Sequence, residues 1–301
     1  MVDEPPSLAV SDFAPSSSPL LPDFLVIGAM KAGTTTLYHD LLSRPDLVSM
    51  PDKESNALLS PGPLAAMATM VGMRKKEGTL LGEVCPDYTK PGTGERAAEV
   101  ARKLFAGSGA PKLIYVVRHP IDRLLSHHYF VSSQHGDANP GGMTGDLEAS
   151  LRDFPELVDT SRYATRLRPW FDAFGVEAVK VIRFEDYIAD REGTLKSIFD
   201  FLGLETANVS SLDPNRIHNP SDARPVATPF WRRIMGNAIY RLFVRPWLSL
   251  AMRDRIRARL LPKPPPRPAP PSPETRQWLI AELTPEVEAL SKLIGAAEPL
   301  Y

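Results

Sequence analysis

The chain has 301 residues, with 35 Lys and Arg against 36 Asp and Glu, and 43% of its residues are hydrophobic. That length can bury a sizeable core, and the near-zero net charge excludes a general electrostatic pull toward nucleic acid. A single cysteine, Cys85, excludes an internal disulfide and fits a reducing cytoplasm, and no apolar run is long enough to cross a bilayer.

In chain order, residues 1–22 are acidic, Ser/Pro-rich and without the apolar stretch of a signal peptide, which predicts a disordered tail. Apolar runs and helical periodicity then predict a strand at 23–28, a helix at 34–43 and a strand near 47–50. A helix at 63–74, a strand at 79–83, a helix at 93–105, a strand at 112–117 and a helix at 120–134 follow. After a Gly/Asn/Pro loop at 136–145 come helices at 146–152 and 161–173, a strand at 178–183, and helices at 184–188 and 192–202. This alternation predicts one α/β domain over 23–261, P-loop-like, with a parallel sheet flanked by helices on both faces. Ligands bind such sheets beyond the carboxyl ends of the strands. There is no internal repeat.

The C-terminal part reads differently. Residues 230–261 carry Arg232, Arg233, Arg241, Arg245, Arg253, Arg255, Arg257 and Arg259 among apolar and aromatic residues. This is either a solvated basic face or a surface for peripheral contact with an anionic membrane or glycan. Residues 262–273 are mostly proline and predict a stiff connector. A helical C-terminal extension follows over 274–301, with Trp278, Leu279, Leu283, Leu290 and Leu293 docking on the same domain and Pro285 dividing it into two helices.

Two segments carry chemistry. The first, Asp23 to Tyr38, is a buried strand, a loop with Gly28 and Gly33, and a helix opening at Thr34, Thr35 and Thr36. A helix N-terminus offers unpaired N–H groups and partial positive charge, which suits phosphate. The glycine spacing is that of a nucleotide-triphosphate loop, but Thr34 stands where that motif needs lysine, and Lys31 lies inside the loop instead. The second, Lys112 to Phe130, is a strand ending at Arg118 and a helix with Pro120 in its first turn and Ser126 two turns along. A guanidinium fork and a hydroxyl suit a terminal phosphate monoester.

Together these segments resemble the 5′-phosphosulfate and 3′-phosphate motifs of sulfotransferases that use 3′-phosphoadenylyl sulfate (PAPS). Gly28-Ala-Met-Lys31-Ala32-Gly33-Thr34-Thr35-Thr36 is similar to the first, and Arg118 with Ser126 to the second. Arg44-Pro-Asp46 with Lys53 and Glu54 resembles the segment leading into the acceptor cleft. Gly82-Glu83-Val84-Cys85-Pro86-Asp87-Tyr88 resembles the family's Gly-Glu-x-x-Pro-x-Tyr segment, and Arg162 to Asp186 its helix and strand ending in Arg-Phe-Glu-Asp. The likeness covers roughly residues 22–220 and is to the bacterial and Golgi glycan-type branch.

What the resemblance implies is sulfuryl transfer from PAPS to a hydroxyl or amine of a glycan, glycolipid or secondary metabolite, without a metal. Lys31 would stabilise the leaving group, Glu83 would act as base, and Ala32 to Thr36, Arg118 and Ser126 would hold the nucleotide. Arg216 and His218 stand where the family has a basic lid, although their spacing matches it poorly. Lys53, Glu54, Pro86, Tyr88 and His127 would line the acceptor site. One departure stands out: Val84 follows Glu83 where heparan sulfate enzymes often carry lysine. Alternatives stay open residue by residue. Arg118 could instead pair with Asp122, Ser126 could bond its own helix, and Glu83 could be a surface carboxylate. Arg123 reads as structural. His127 and His128 are adjacent, about a hundred degrees apart on a helix, and make no metal site. At the level of class, the alternatives are a P-loop small-molecule kinase and a non-catalytic scaffold that binds adenosine 3′,5′-bisphosphate (PAP) or a membrane.

Overall fold

The computed structural model describes residues 21–49, 53–62, 79–133, 142–205 and 267–301. The helix expected at 63–74, Arg216, His218 and the Arg-rich stretch 230–261 lie outside the described residues.

Five parallel strands form one sheet: β1 (Phe24–Gly28), β2 (Leu47–Ser49), β3 (Leu80–Val84), β4 (Lys112–Val117) and β5 (Val179–Arg183), in the order β2-β3-β1-β4-β5. β1 at the centre is buried throughout, and β3 and β4 beside it are buried over all but their first residues. Strands buried on both faces lose the alternating pattern of a half-exposed sheet, hence the near-continuous runs Phe-Leu-Val-Ile and Leu-Ile-Tyr-Val-Val. Helices cover both faces: α1 (Thr34–Leu41), α2 (Gly94–Leu104), α3 (Pro120–Ser132), α4 (Leu147–Asp153), α5 (Glu156–Asp159), α6 (Tyr163–Phe174), α7 (Phe184–Ala189) and α8 (Arg191–Leu202). Short 3₁₀ turns at Ala57–Leu59, Pro86–Thr89 and Val176–Ala178, and the four-residue α5, lie below what periodicity detects.

The strand order positions the site. After β1 the chain crosses to one side for β2 and β3, then returns past β1 to β4 and β5 on the other. The carboxyl ends of β3, β1 and β4 therefore stand side by side at the switch point, with Leu25 level with Glu83 and Gly28 level with Tyr115.

The C-terminal extension corrects the expected division at Pro285. One helix, α9 (Pro273–Leu293), runs through Pro285 without a break. Both halves are tied to the start of α6, which explains why. Before the proline, Glu282 pairs with Arg162; after it, Glu286 accepts from the Thr165 N–H at 3.0 Å and from its hydroxyl at 2.7 Å. Leu279, Leu283, Val287 and Leu290 form the buried stripe, while Trp278 lies a hundred degrees off it and is 46% exposed rather than docked.

Candidate active site

The first segment folds as strand, loop and helix. Gly33 is the N-cap of α1 at φ 97°, and as a glycine it offers the helix no side-chain cap. Glycine is needed at Gly33 for a second reason. A Cβ there would stand 2.4 Å from the ring of Phe184, so that ring, rather than close approach of a ligand alone, excludes a side chain. Gly28 is held similarly, with Thr89 Oγ1 at 2.3 Å and the Tyr115 ring at 2.6 Å from where its Cβ would be. The Thr89 hydroxyl donates to the Ile27 carbonyl at 2.9 Å, which fastens the Pro86–Thr89 turn to the end of β1. Within the helix Thr34 and Thr36 are buried and Thr35 is half-buried. Lys31, at φ 67°, sets its ammonium 4.2 Å from the centre of the Phe130 ring on α3.

Arg118 follows β4 directly. Its backbone carbonyl accepts from the Tyr163 hydroxyl at 2.7 Å, and its guanidinium lies 5.3 Å from the Phe184 ring. Among the described residues it forms no ion pair, so the alternative partnership with Asp122 is not made. Phe184 thus touches both motifs, packing under Gly33 on one side and beside Arg118 on the other. Phe184 belongs to the Arg-Phe-Glu-Asp segment noted in the sequence, but no pattern there linked it to either phosphate motif. Ser126 is half-buried two turns along α3.

Glu83 is not a surface carboxylate. It is 1% exposed near the end of β3, with Oε1 accepting from the Ser55 and Tyr88 hydroxyls, the latter at 2.7 Å. Its Oε2 is buried with no hydrogen-bond partner among the described residues. Burial pushes this carboxyl above the ordinary glutamate range, and Ser55, Tyr88 and the Ala57 amide pull the other way. A desolvated carboxylate with one bare oxygen is a stronger proton acceptor than one in water.

The residues expected to line an acceptor pocket fall differently. Tyr88 is fully buried, its hydroxyl held between Glu83 and the Leu58 N–H at 3.1 Å, so it is a partner of Glu83 and not a pocket wall. Pro86 is buried at the start of its 3₁₀ turn. Lys53 is paired with Glu54 at 2.5 Å, leaving its charge locally matched. His127 is buried against α3's own Arg123, whose Nη1 is 3.4 Å from His127 Nδ1, and does not face an open cleft. A guanidinium can only donate, so Nδ1 accepts and the imidazole proton sits on Nε2. Burial, then the charges of Arg123, Lys90 and Lys31, hold His127 well below the usual histidine range. Arg123 is structural as expected: its Nε donates to Ser161 Oγ at 2.7 Å and its Nη2 to the Leu157 carbonyl at 2.5 Å. His128 turns elsewhere, with Nε2 at 2.9 Å from the Thr144 carbonyl.

The residues present fit a nucleotide with two anionic ends. The start of α1 with the loop residue Lys31 offers one cationic position and Arg118 a second, with the Phe184 ring between Gly33 and Arg118. Glu83 stands on the other side of β1 from Arg118.

Comparison with known proteins bears on this arrangement. The sulfotransferase domain family matches residues 21–219. Over 211 residues the chain is 28% identical to heparan sulfate glucosamine 3-O-sulfotransferase 3B1 of Homo sapiens, covering 68% of this chain and 52% of that protein. A shorter stretch of 101 residues is 32% identical to 3-alpha-hydroxysteroid sulfotransferase of Cavia porcellus, 34% of each chain. The chain thus spans about half the length of the curated heparan sulfate relatives it matches. Among solved structures, a sulfotransferase from Alicyclobacillus acidocaldarius superimposes with a TM-score of 0.56 at 20% identity, over 92% of this chain and 96% of that one, which shows a shared fold. With the family matching well over half of its length, the chain belongs to the sulfotransferase domain family.

Proposed function

We propose that this protein is a PAPS-dependent sulfotransferase that moves a sulfuryl group to a hydroxyl or amine of a glycan, glycolipid or secondary metabolite. The observation that carries the reading is the convergence of Glu83, the Lys31 loop and Arg118 on three adjacent strand ends. PAPS supplies a sulfuryl group already activated by its bond to a phosphate. Backbone N–H groups of Gly33 to Thr36 hold the phosphosulfate end, and Arg118 with Ser126 holds the 3′-phosphate. Lys31 neutralises charge growing on the departing phosphate oxygen, so the chain itself supplies the cation that a metal supplies elsewhere. Glu83 takes the proton from the acceptor. The likeness to heparan sulfate enzymes favours a glycan acceptor, and the single cysteine favours the cytoplasm.

The test is transfer of radiolabelled sulfate from PAPS to heparan oligosaccharides, hydroxysteroids and phenols, in the presence of a chelator. Lys31→Ala and Glu83→Gln should each lower kcat by about a hundredfold or more, the scale of removing a charge-stabilising donor or a catalytic base. One observation favours a second reading: Glu83 is closed off from solvent, as in a protein that binds the nucleotide without turning it over. Tight PAP binding with no transfer to any acceptor class, and no effect of Glu83→Gln, would establish that reading.

A further inference from the structure

Two hydroxyls reach Glu83, and both donate to the same oxygen. Each has a single proton to give, and each also receives a backbone N–H from one short turn. The Ala57 N–H donates to Ser55 Oγ at 3.2 Å, and the Leu58 N–H donates to Tyr88 Oη at 3.1 Å. A hydroxyl that accepts from an N–H turns its own proton away from that donor, and here each proton is turned onto Glu83 Oε1. Tyr88 is braced from a third side, since the Trp170 indole donates to its backbone carbonyl at 2.9 Å. The result is a carboxylate with two unlike oxygens. Oε1 is saturated, and Oε2 is buried and bare among the described residues.

We propose that the Ala57–Leu59 turn, acting through Ser55 and Tyr88, selects Oε2 of Glu83 as the single oxygen that accepts the acceptor's proton. Ser55 and Tyr88 are positioning residues: they touch the base, not the substrate. This rests on the reading of Glu83 as base and goes beyond it, because it names which oxygen works and what holds the other. It also gives Tyr88 a reason to be tyrosine. A phenylalanine would fill the same volume but would leave the Leu58 N–H and Oε1 each short of a partner. Tyr88 is not itself a proton relay, because burial and the Glu83 charge push its hydroxyl far above the ordinary tyrosine range. The other titratable neighbour, the Cys85 thiol, is pushed up to about 12 and stays protonated as well. Neither neighbour therefore shares the titration of Glu83, whose carboxyl burial raises above the ordinary glutamate range.

The experiment is a carbon-13 titration of the glutamate carboxyls in the full-length protein, the Glu83 signal being assigned by its loss in Glu83→Gln. Tyr88→Phe and Ser55→Ala each remove one donor to the charged form, so each should move the Glu83 inflection upward by about one pH unit. The acid limb of the kcat profile for the acceptor found above should move with it, while KM for PAPS stays within about twofold of wild type. A purely structural role for the two hydroxyls would lower thermal stability and leave both the inflection and the limb in place. That result, in either variant that still binds PAP, would overturn the proposal. Full transfer activity in Glu83→Gln would instead remove the underlying reading of Glu83 as base. The two failures are therefore distinguishable, and Ser55→Ala keeps the test open if Tyr88→Phe does not fold.

Discussion

At the scale of single residues, Glu83 is where the proposed function and stability pull in opposite directions. Its carboxyl is raised in the folded protein, so the native state holds that proton more tightly than the unfolded chain. Stability from this group is therefore greatest below the ordinary glutamate range and falls as pH climbs toward the raised value. Glu83→Gln removes the buried charge and keeps a hydrogen-bonding side chain, so it should raise the melting temperature at pH 8 and leave it unchanged near pH 4. Equal effects at the two pH values would show that Glu83 titrates as an ordinary carboxylate. The places of Glu83 and Arg118 at strand ends, and of Lys31 in the loop after β1, were legible in the sequence because each lies within a spaced motif next to an apolar run. Ser55 and the roles of Phe184 and Thr89 were not. Ser55 reaches Glu83 across 28 positions of chain, and Phe184 reaches Gly33 from the far end of the domain. No local pattern encodes such contacts. Tyr88 and His127 both turn inward, one onto Glu83 and the other onto Arg123, since a motif names a position without saying which way its side chain turns.

Among elements, the loop from β1 to α1 is the one whose backbone the proposed function asks to hold phosphate. Gly33 combines a left-handed backbone with a ring packed where its Cβ would be. Gly33→Ala should lower stability by about 1–3 kcal/mol in urea unfolding, from backbone strain plus displacement of Phe184. PAP affinity should fall with it, because the helix N-terminus can no longer keep its place. Unchanged affinity would mean that the loop is not the phosphate cradle. Helix and strand ends elsewhere were readable to within a few residues wherever periodicity was long. The exception is α9, where Pro285 reads locally as a break. The contacts of Glu282 and Glu286 with the start of α6 hold the two halves in line, and only the folded chain contains that information. Trp278 was misplaced for a related reason: the apolar residues of α9 outnumber the positions on its buried stripe.

For the molecule as a whole, the parallel sheet and its helical layers follow from strand–helix alternation, but the strand order does not. That order depends on which crossover passes β1, and it is what brings Glu83, Lys31 and Arg118 to one edge. A buried ion pair secures the two sides of the arrangement. Asp40 on α1 accepts from Arg191 Nε at 2.6 Å and also from the Tyr187 hydroxyl, joining the phosphate-loop helix to α7 and α8. Asp40→Ala leaves the Arg191 charge buried without its partner and should cost about 3–5 kcal/mol in urea unfolding. A loss under 1 kcal/mol would mean that the guanidinium finds water instead. The central claim is that one edge of this sheet binds an adenosine nucleotide through its 3′-phosphate. Calorimetry with PAP, adenosine 5′-monophosphate and ATP with Mg²⁺, on wild type and Arg118→Ala, tests it most directly. PAP should bind tightly without metal, the monophosphate should bind far more weakly, and Arg118→Ala should cost PAP about tenfold to a hundredfold. Binding that ignores Arg118, or that prefers ATP with Mg²⁺, would contradict the account.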